Sequence, residues 1–175
     1  LSPLFAQTLA RQLAALLPQT AGHLLEFGAG TGRLAADLLA ELEVLGQLPA
    51  SYTIVDLSPD LIERQRATLA ERVPHLASRV QWAATLPASF DGIMLGNEVL
   101  DAMPCELVSR NVDGTQQQRG VTVLDGAFCY EDRPFTDRAL AALAAELIPT
   151  TPGYTSEISL ANRAFIRTLG QKLQR

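Results

Sequence analysis

The chain has 175 residues, enough for one domain with a sizeable core, and 47% of them are hydrophobic, which excludes a disordered segment. Its net charge is −5, with no basic run and no arginine–aromatic cluster, so a dedicated nucleic-acid surface is excluded. The two cysteines, Cys105 and Cys129, lack a metal-type spacing, and the two histidines, His23 and His75, are too scattered for a metal site; no metal is expected.

No apolar run approaches the roughly 20 residues of a membrane-spanning helix. The first residue is Leu1, not Met, so the chain reads as a piece of a longer protein. Lys172 is the sole lysine, and with abundant Ala and Leu this points to a GC-rich bacterial source. The expected location is then the cytoplasm, or the mitochondrion if the source is eukaryotic.

In chain order, Ser2-Pro3 is a cap-and-proline start for a helix whose face is Leu9, Leu13, Leu16 and Leu17. A loop, Pro18 to Gly22, leads to a first strand, His23 to Phe27. A helix from Thr31 to about Leu45 carries the stripe Leu34, Leu38, Leu42, Leu45. The second strand follows Pro49-Ala50-Ser51 and ends at Val55-Asp56. Ser58-Pro59-Asp60 starts a helix that runs to about Arg72. A third strand is Arg79 to Ala83, and a fourth is Phe90 to Glu98. From Cys105 the pattern changes. Cys105 to Asn111, Gly120 to Leu124 and Gly126 to Tyr130 are strand-like, separated by the hairpin signals Asp113-Gly114 and Asp125-Gly126. Pro134 to Leu147 reads as helix, Tyr154 to Ile158 as extended, and the last helix runs through Phe165, Ile166, Leu169 and Leu173. The expected fold class is α/β: a Rossmann-like, mostly parallel sheet with an inserted β-meander. The expected organisation is a single partial domain over 1–175 with a hairpin insertion at 105–133.

The chemistry gathers at strand ends. Glu26-Phe27-Gly28-Ala29-Gly30-Thr31-Gly32 is a strand-to-helix turn with three alternating glycines, and the first amides of the next helix face whatever sits above the strand. Such a turn serves a dinucleotide, S-adenosylmethionine (SAM), or only the fold. Arg33 stands where a dinucleotide turn has its third glycine, and the charge of Glu26 would oppose a pyrophosphate. A ligand carrying sulfonium and ammonium charges would welcome that carboxylate, which favours SAM. Asp56 lies 24 positions after Gly32, near the offset of a carboxylate that holds ribose hydroxyls, or else it is a turn or capping residue. Leu57 and Ser58 follow it and join the cofactor-binding candidates. Asn97 could offer its amide oxygen to substrate or to the cofactor's methionine end. Glu98 and Asp101, three apart, would share one face of an intervening helical turn, as catalytic carboxylates or as caps of a short helix before Pro104. Glu157 is a further acid near the substrate or facing solvent.

Gly96-Asn97-Glu98-Val99-Leu100-Asp101-Ala102-Met103-Pro104 is the most specific stretch. With Leu25 to Gly32, Ile54 to Pro59, Gly153 to Ile158 and the opening Leu1 to Phe5, it resembles the MidA-type SAM-dependent methyltransferases, in the family's order over nearly the whole chain. That family includes a mitochondrial assembly factor that methylates an arginine of a respiratory complex I subunit. The resemblance implies a class I methyltransferase fold, SAM as cofactor with S-adenosylhomocysteine as product, and a protein arginine as methyl acceptor. Two alternatives stand beside it: a SAM-binding assembly factor without turnover, and a methyltransferase for a small molecule. The chain departs from the family at Trp82-Ala83-Ala84, where polar or acidic residues usually lie near the adenine.

Overall fold

The computed structural model describes residues 2–174; Leu1 and Arg175, the two ends of the sequence, lie outside them. The chain divides into two compact units. One runs to Val99 and takes in the stretch from Thr168; the other is Leu100–Arg167.

In the first unit, α1 (Pro3–Leu16), α2 (Arg33–Val44) and α3 (Pro59–Arg72) alternate with β1 (His23–Phe27), β2 (Ser51–Val55), β3 (Val80–Ala83) and β4 (Gly92–Gly96). The four strands are all parallel, in the order β3-β2-β1-β4. The order reverses direction at β1, which makes the carboxyl ends of β1 and its neighbours the place for a ligand. Leu24, Tyr52 and Ile54 from the strands meet Leu38, Leu39 and Leu42 of α2 and Leu69 of α3 in the core.

The expected face of α1 is corrected. Ala6, Ala10, Leu13 and Leu17 are buried, whereas Leu16 is exposed and Leu9 only partly covered. Alanine at two contact positions removes the side-chain bulk that a leucine face would carry into the same core. The stripe of α2 is broader than expected, since Ala35, Ala36 and Leu39 are buried beside Leu34, Leu38 and Leu42, and it ends before the exposed Leu45.

In the second unit, β5 (Glu106–Arg110), β6 (Gln116–Leu124), β7 (Ala127–Arg133) and β8 (Thr155–Ile158) form an antiparallel sheet in the order β7-β6-β5-β8. The meander therefore forms a sheet of its own, and the extended run near Glu157 is its fourth strand. Asp125 and Gly126 both take positive φ, 51° and 79°, as the tight turn between β6 and β7 requires. Strand β6 begins at Gln116, four residues before its apolar run, because pairing of Gln116–Arg119 with β5 extends it through polar residues. Helix α4 (Arg138–Leu147) starts later than Pro134. Its cap is Asp137, whose Oδ1 accepts the amides of Ala139 and Leu140. The last helix, α5 (Leu160–Lys172), begins in this unit after Ser159, whose Oγ accepts the Asn162 amide at 3.0 Å, and its last turn from Thr168 belongs to the first unit. Val108, Leu140, Ala144, Ile148 and Ile158 are the core of this unit.

Candidate functional site

Strand register decides which residues emerge together. Phe27 lies level with Val55 on one side and Gly96 on the other, and Val55 lies level with Ala83. The next residues, Gly28, Asp56, Asn97 and Ala84, therefore leave the sheet in one row at its carboxyl edge. An acidic or amide residue at a strand end is thereby placed at the sheet edge where ligands bind.

A cleft of about 550 Å³ opens over this edge, lined by Glu26, Gly28, Ala29, Gly30, Thr31, Asn97 and Glu98 together with Arg33 and Leu34. The three glycines all have positive φ, between 53° and 78°. A β-carbon at Gly30 would meet no atom within 4 Å, so the space immediately above it is open. A β-carbon on Gly28 would stand 3.1 Å from Val99 Cγ2. Gly32 has a different reason for being glycine. A β-carbon there would lie 2.9 Å from the Gln65 backbone, where α2 packs on α3.

Two electrostatic features face the cleft. Glu26 is 1% exposed, and its Oε2 accepts a 2.7 Å hydrogen bond from the buried Tyr52 hydroxyl. Burial pushes the carboxyl up from 4.5 to about 7, and the Tyr52 hydrogen bond opposes that shift only in part. Burial and the neighbouring carboxylate also raise Tyr52, so it stays a donor. The second feature is the start of α2. Helices α1, α3 and α4 are capped by Ser2, Ser58 and Asp137, but α2 starts at Gly32 with no side-chain cap and no acid in its first turn. Its leading amides are open to an anion. Arg33 at that turn is paired with Asp37, Nε to Oδ2 at 3.0 Å. A carboxylate for an ammonium group and free amides for a carboxylate are the two ends of an amino-acid moiety.

The remaining expected residues fall as follows. Phe27 is buried in β1. Asp56 is half-buried; its Oδ1 accepts the Ser58 amide at 2.9 Å and its Oδ2 accepts Gln65 Nε2 at 2.7 Å. Ser58 caps α3 through Leu61, and Leu57 between them is 79% exposed, an apolar side chain left in solvent beside an acid. Glu98 takes φ 53°, unusual for a non-glycine residue and costly unless its surroundings hold it there. No helical turn joins it to Asp101, which corrects that expectation along with the short helix before Pro104. The segment is a series of bends, and Asp101 is exposed in a turn closed by the Met103 amide on the Leu100 carbonyl at 3.3 Å. Pro104 at the end of the segment disfavours helix for the residue before it. Asp101 belongs to the second unit, where Asn162 Nδ2 and Ser159 Oγ donate to the carbonyls of Leu100 and Pro104. Glu157 is exposed on β8, and its carboxylate, after burial, raises the Cys105 thiol.

Sequence reasoning missed the buried polar pair Tyr52–Glu26 and the buried Gln65. A usable signal existed for Gln65, a glutamine four residues before Leu69 in the buried stripe of α3. Among the described residues no His, Cys, Asp and Glu group could hold a metal, and no helix is long and apolar enough to cross a membrane.

A parallel sheet with this strand order, a glycine turn at its reversal point and acids on the neighbouring strand ends define a nucleoside-binding α/β fold of the class I methyltransferase kind. Residues 4–175 match the family described as "Putative S-adenosyl-L-methionine-dependent methyltransferase", and the chain belongs to that family. The family's cofactor is SAM. The chain is also similar to a solved structure from Burkholderia thailandensis, described as a "likely methyl transferase" bound to S-adenosyl-homocysteine, at 48% identity and a TM-score of 0.87. That match covers 100% of this chain and 45% of the other. A native structure of an uncharacterised protein from the same organism matches at 48% identity and a TM-score of 0.85, over 99% of this chain and 46% of that one. The chain thus spans less than half the length of these relatives. No curated protein matches it.

Proposed function

We propose that this chain binds SAM in the cleft over β1 and contributes to methyl transfer onto a protein arginine, as a MidA-type methyltransferase. The observation that supports the cofactor half is the cleft itself: buried Glu26 on one side, the open glycine turn and uncapped start of α2 on the other. Glu26 would hold the ammonium group, and the amides after Gly32 would hold the carboxylate. Asp56 would take the ribose hydroxyls and Leu57 would cover the adenine. Phe27 to Thr31, with Ser58, would shape the rest, and Asn97 would reach the methionine end. SAM supplies the electrophilic methyl group when bound.

The chain's own contribution to the chemistry lies in its acids. An arginine guanidinium is protonated with a pKa above about 12, so a carboxylate that pairs with it orients one nitrogen and stabilises its charge. Glu98, at the mouth of the cleft, is the first candidate for that role and Asp101 the second. In-line transfer needs the nitrogen at roughly 3–3.5 Å from the methyl carbon, so holding the guanidinium still is most of the task. In this reading residues 1–175 are part of one methyltransferase domain, with the 105–133 hairpins as its insertion. The methyl acceptor is a protein, and a respiratory-complex subunit fits the family resemblance. The site of action is the bacterial cytoplasm, or the mitochondrion in a eukaryote.

The test is transfer of labelled methyl from SAM into bacterial protein, followed by hydrolysis. Label recovered as methylarginine, and lost in Glu98→Gln, is the expected result. Label only on small molecules would overturn the arginine half. Cofactor binding without any transfer, and partner function intact in Glu98→Gln, would favour an assembly factor without turnover.

A further inference from the structure

Gln65 is a buried glutamine whose every strong hydrogen-bonding group is committed. It is 0% exposed, on the face of α3 that meets the glycine turn. Its Oε1 accepts the indole N–H of Trp82 at 2.8 Å. Indole only donates, so the amide oxygen must face Trp82 and the amide nitrogen must face away. The two N–H groups then go to the Gly30 carbonyl at 3.0 Å and to Asp56 Oδ2 at 2.7 Å. One side chain thus ties together the glycine turn after β1, the acid after β2 and the tryptophan of β3. Trp82 is itself held from its face by the Arg66 guanidinium, 4.9 Å from the ring centroid.

The consequence falls on Asp56. Its Oδ1 is fixed by the Ser58 amide and its Oδ2 by Gln65, so both oxygens are anchored and the carboxylate cannot turn. Each oxygen keeps acceptor capacity for one further donor. A rigid carboxylate with two free acceptor directions suits two adjacent hydroxyls, and the donor that fixes it is charge-assisted and therefore strong.

We infer that Gln65 is a positioning residue that sets Asp56 to receive a vicinal diol of the nucleoside, an inference that rests on the SAM reading of the cleft. Gln65 touches no ligand atom itself. Its bond to Asp56 acts on the sugar hydroxyls, whereas its bonds to Gly30 and Trp82 serve both ligands alike, which separates positioning from merely keeping the fold.

The experiment is calorimetric titration of the full chain with S-adenosylhomocysteine and with its analogue lacking both ribose hydroxyls. Gln65→Met has similar length and no donor. It is expected to lower affinity for S-adenosylhomocysteine about tenfold. Affinity for the analogue should change by less than about threefold, so discrimination between the two ligands collapses. Gln65→Glu keeps an acceptor for Trp82 and, in the fully ionised form reached at high pH, puts a second carboxylate where the donor to Asp56 stood. It should show the same collapse, and it carries the test if Gln65→Met does not fold. Equal losses for both ligands, or no loss, would overturn the inference. Wild-type chain that binds neither ligand would overturn the cofactor reading instead, before any variant is compared.

Discussion

The two sheets use similar apolar strand residues and treat them in opposite ways. Strand β1 is buried from Leu24 to Phe27, and the polar residue it encloses, Glu26, lines the cleft. In the β6–β7 hairpin, register places Val121 across from Tyr130 and Val123 across from Phe128. All four of those side chains are exposed, Phe128 by 84%. The difference lies in what covers each strand. A parallel strand arrives with a crossover helix that closes over it. A hairpin can form by local pairing alone and leave a face bare. Apolar character therefore marks a strand but does not say which strand is core.

That contrast can be broken, and the largest effect is expected at Gly32. Gly32→Ala sets a β-carbon 2.9 Å from the Gln65 backbone at φ 78°, and should cost about 4 kcal/mol in chemical denaturation. Leu24→Ala, at a fully buried position of β1, should cost about 3 kcal/mol in the same assay.

Glu26→Gln tests the buried acid by pH. The folded chain holds this proton to about pH 7, while the unfolded chain releases it near 4.5. Between those values the folded state binds more protons, so this group's contribution to stability is present below 4.5 and is lost as pH rises to about 7. The variant should abolish that slope and be the more stable form at pH 8, by on the order of 3 kcal/mol. It should also bind S-adenosylhomocysteine at least tenfold (about 1.4 kcal/mol) more weakly. Loss of affinity without the change in slope would dissociate the two roles. The smallest effect belongs to the hairpin: Phe128→Ser should change stability by less than about 0.5 kcal/mol. A large loss there would mean that the face is covered in solution.

Most of the first unit was legible because its signals are local. Ser2-Pro3 and Ser58-Pro59 mark helix starts through chemistry confined to a few residues, and His23 to Phe27 is bounded by a loop and by glycine. The face of α1 was misread because leucine is the louder signal, while helix contact selected alanine. The stretch after β4 was misread for another reason. Spacing of three suggests a helical face, but Glu98 adopts a left-handed conformation that no spacing announces. The bond from Tyr52 to Glu26 spans 26 positions and is set by the pairing of β1 with β2. Nothing in either strand alone reveals it. The same holds for Gln65, whose three partners come from three different elements.

In the proposed reading, the buried carboxyl of Glu26 also makes cofactor capture an acid–base event. A cation entering the cleft draws the carboxyl into its charged form, so at pH 7 binding should release about half a proton into solution. The heat of binding will then vary with the ionisation enthalpy of the buffer, and titrations in phosphate and in Tris should differ although the affinity is the same. The slope of that difference counts the protons and reads the state of one side chain without altering it.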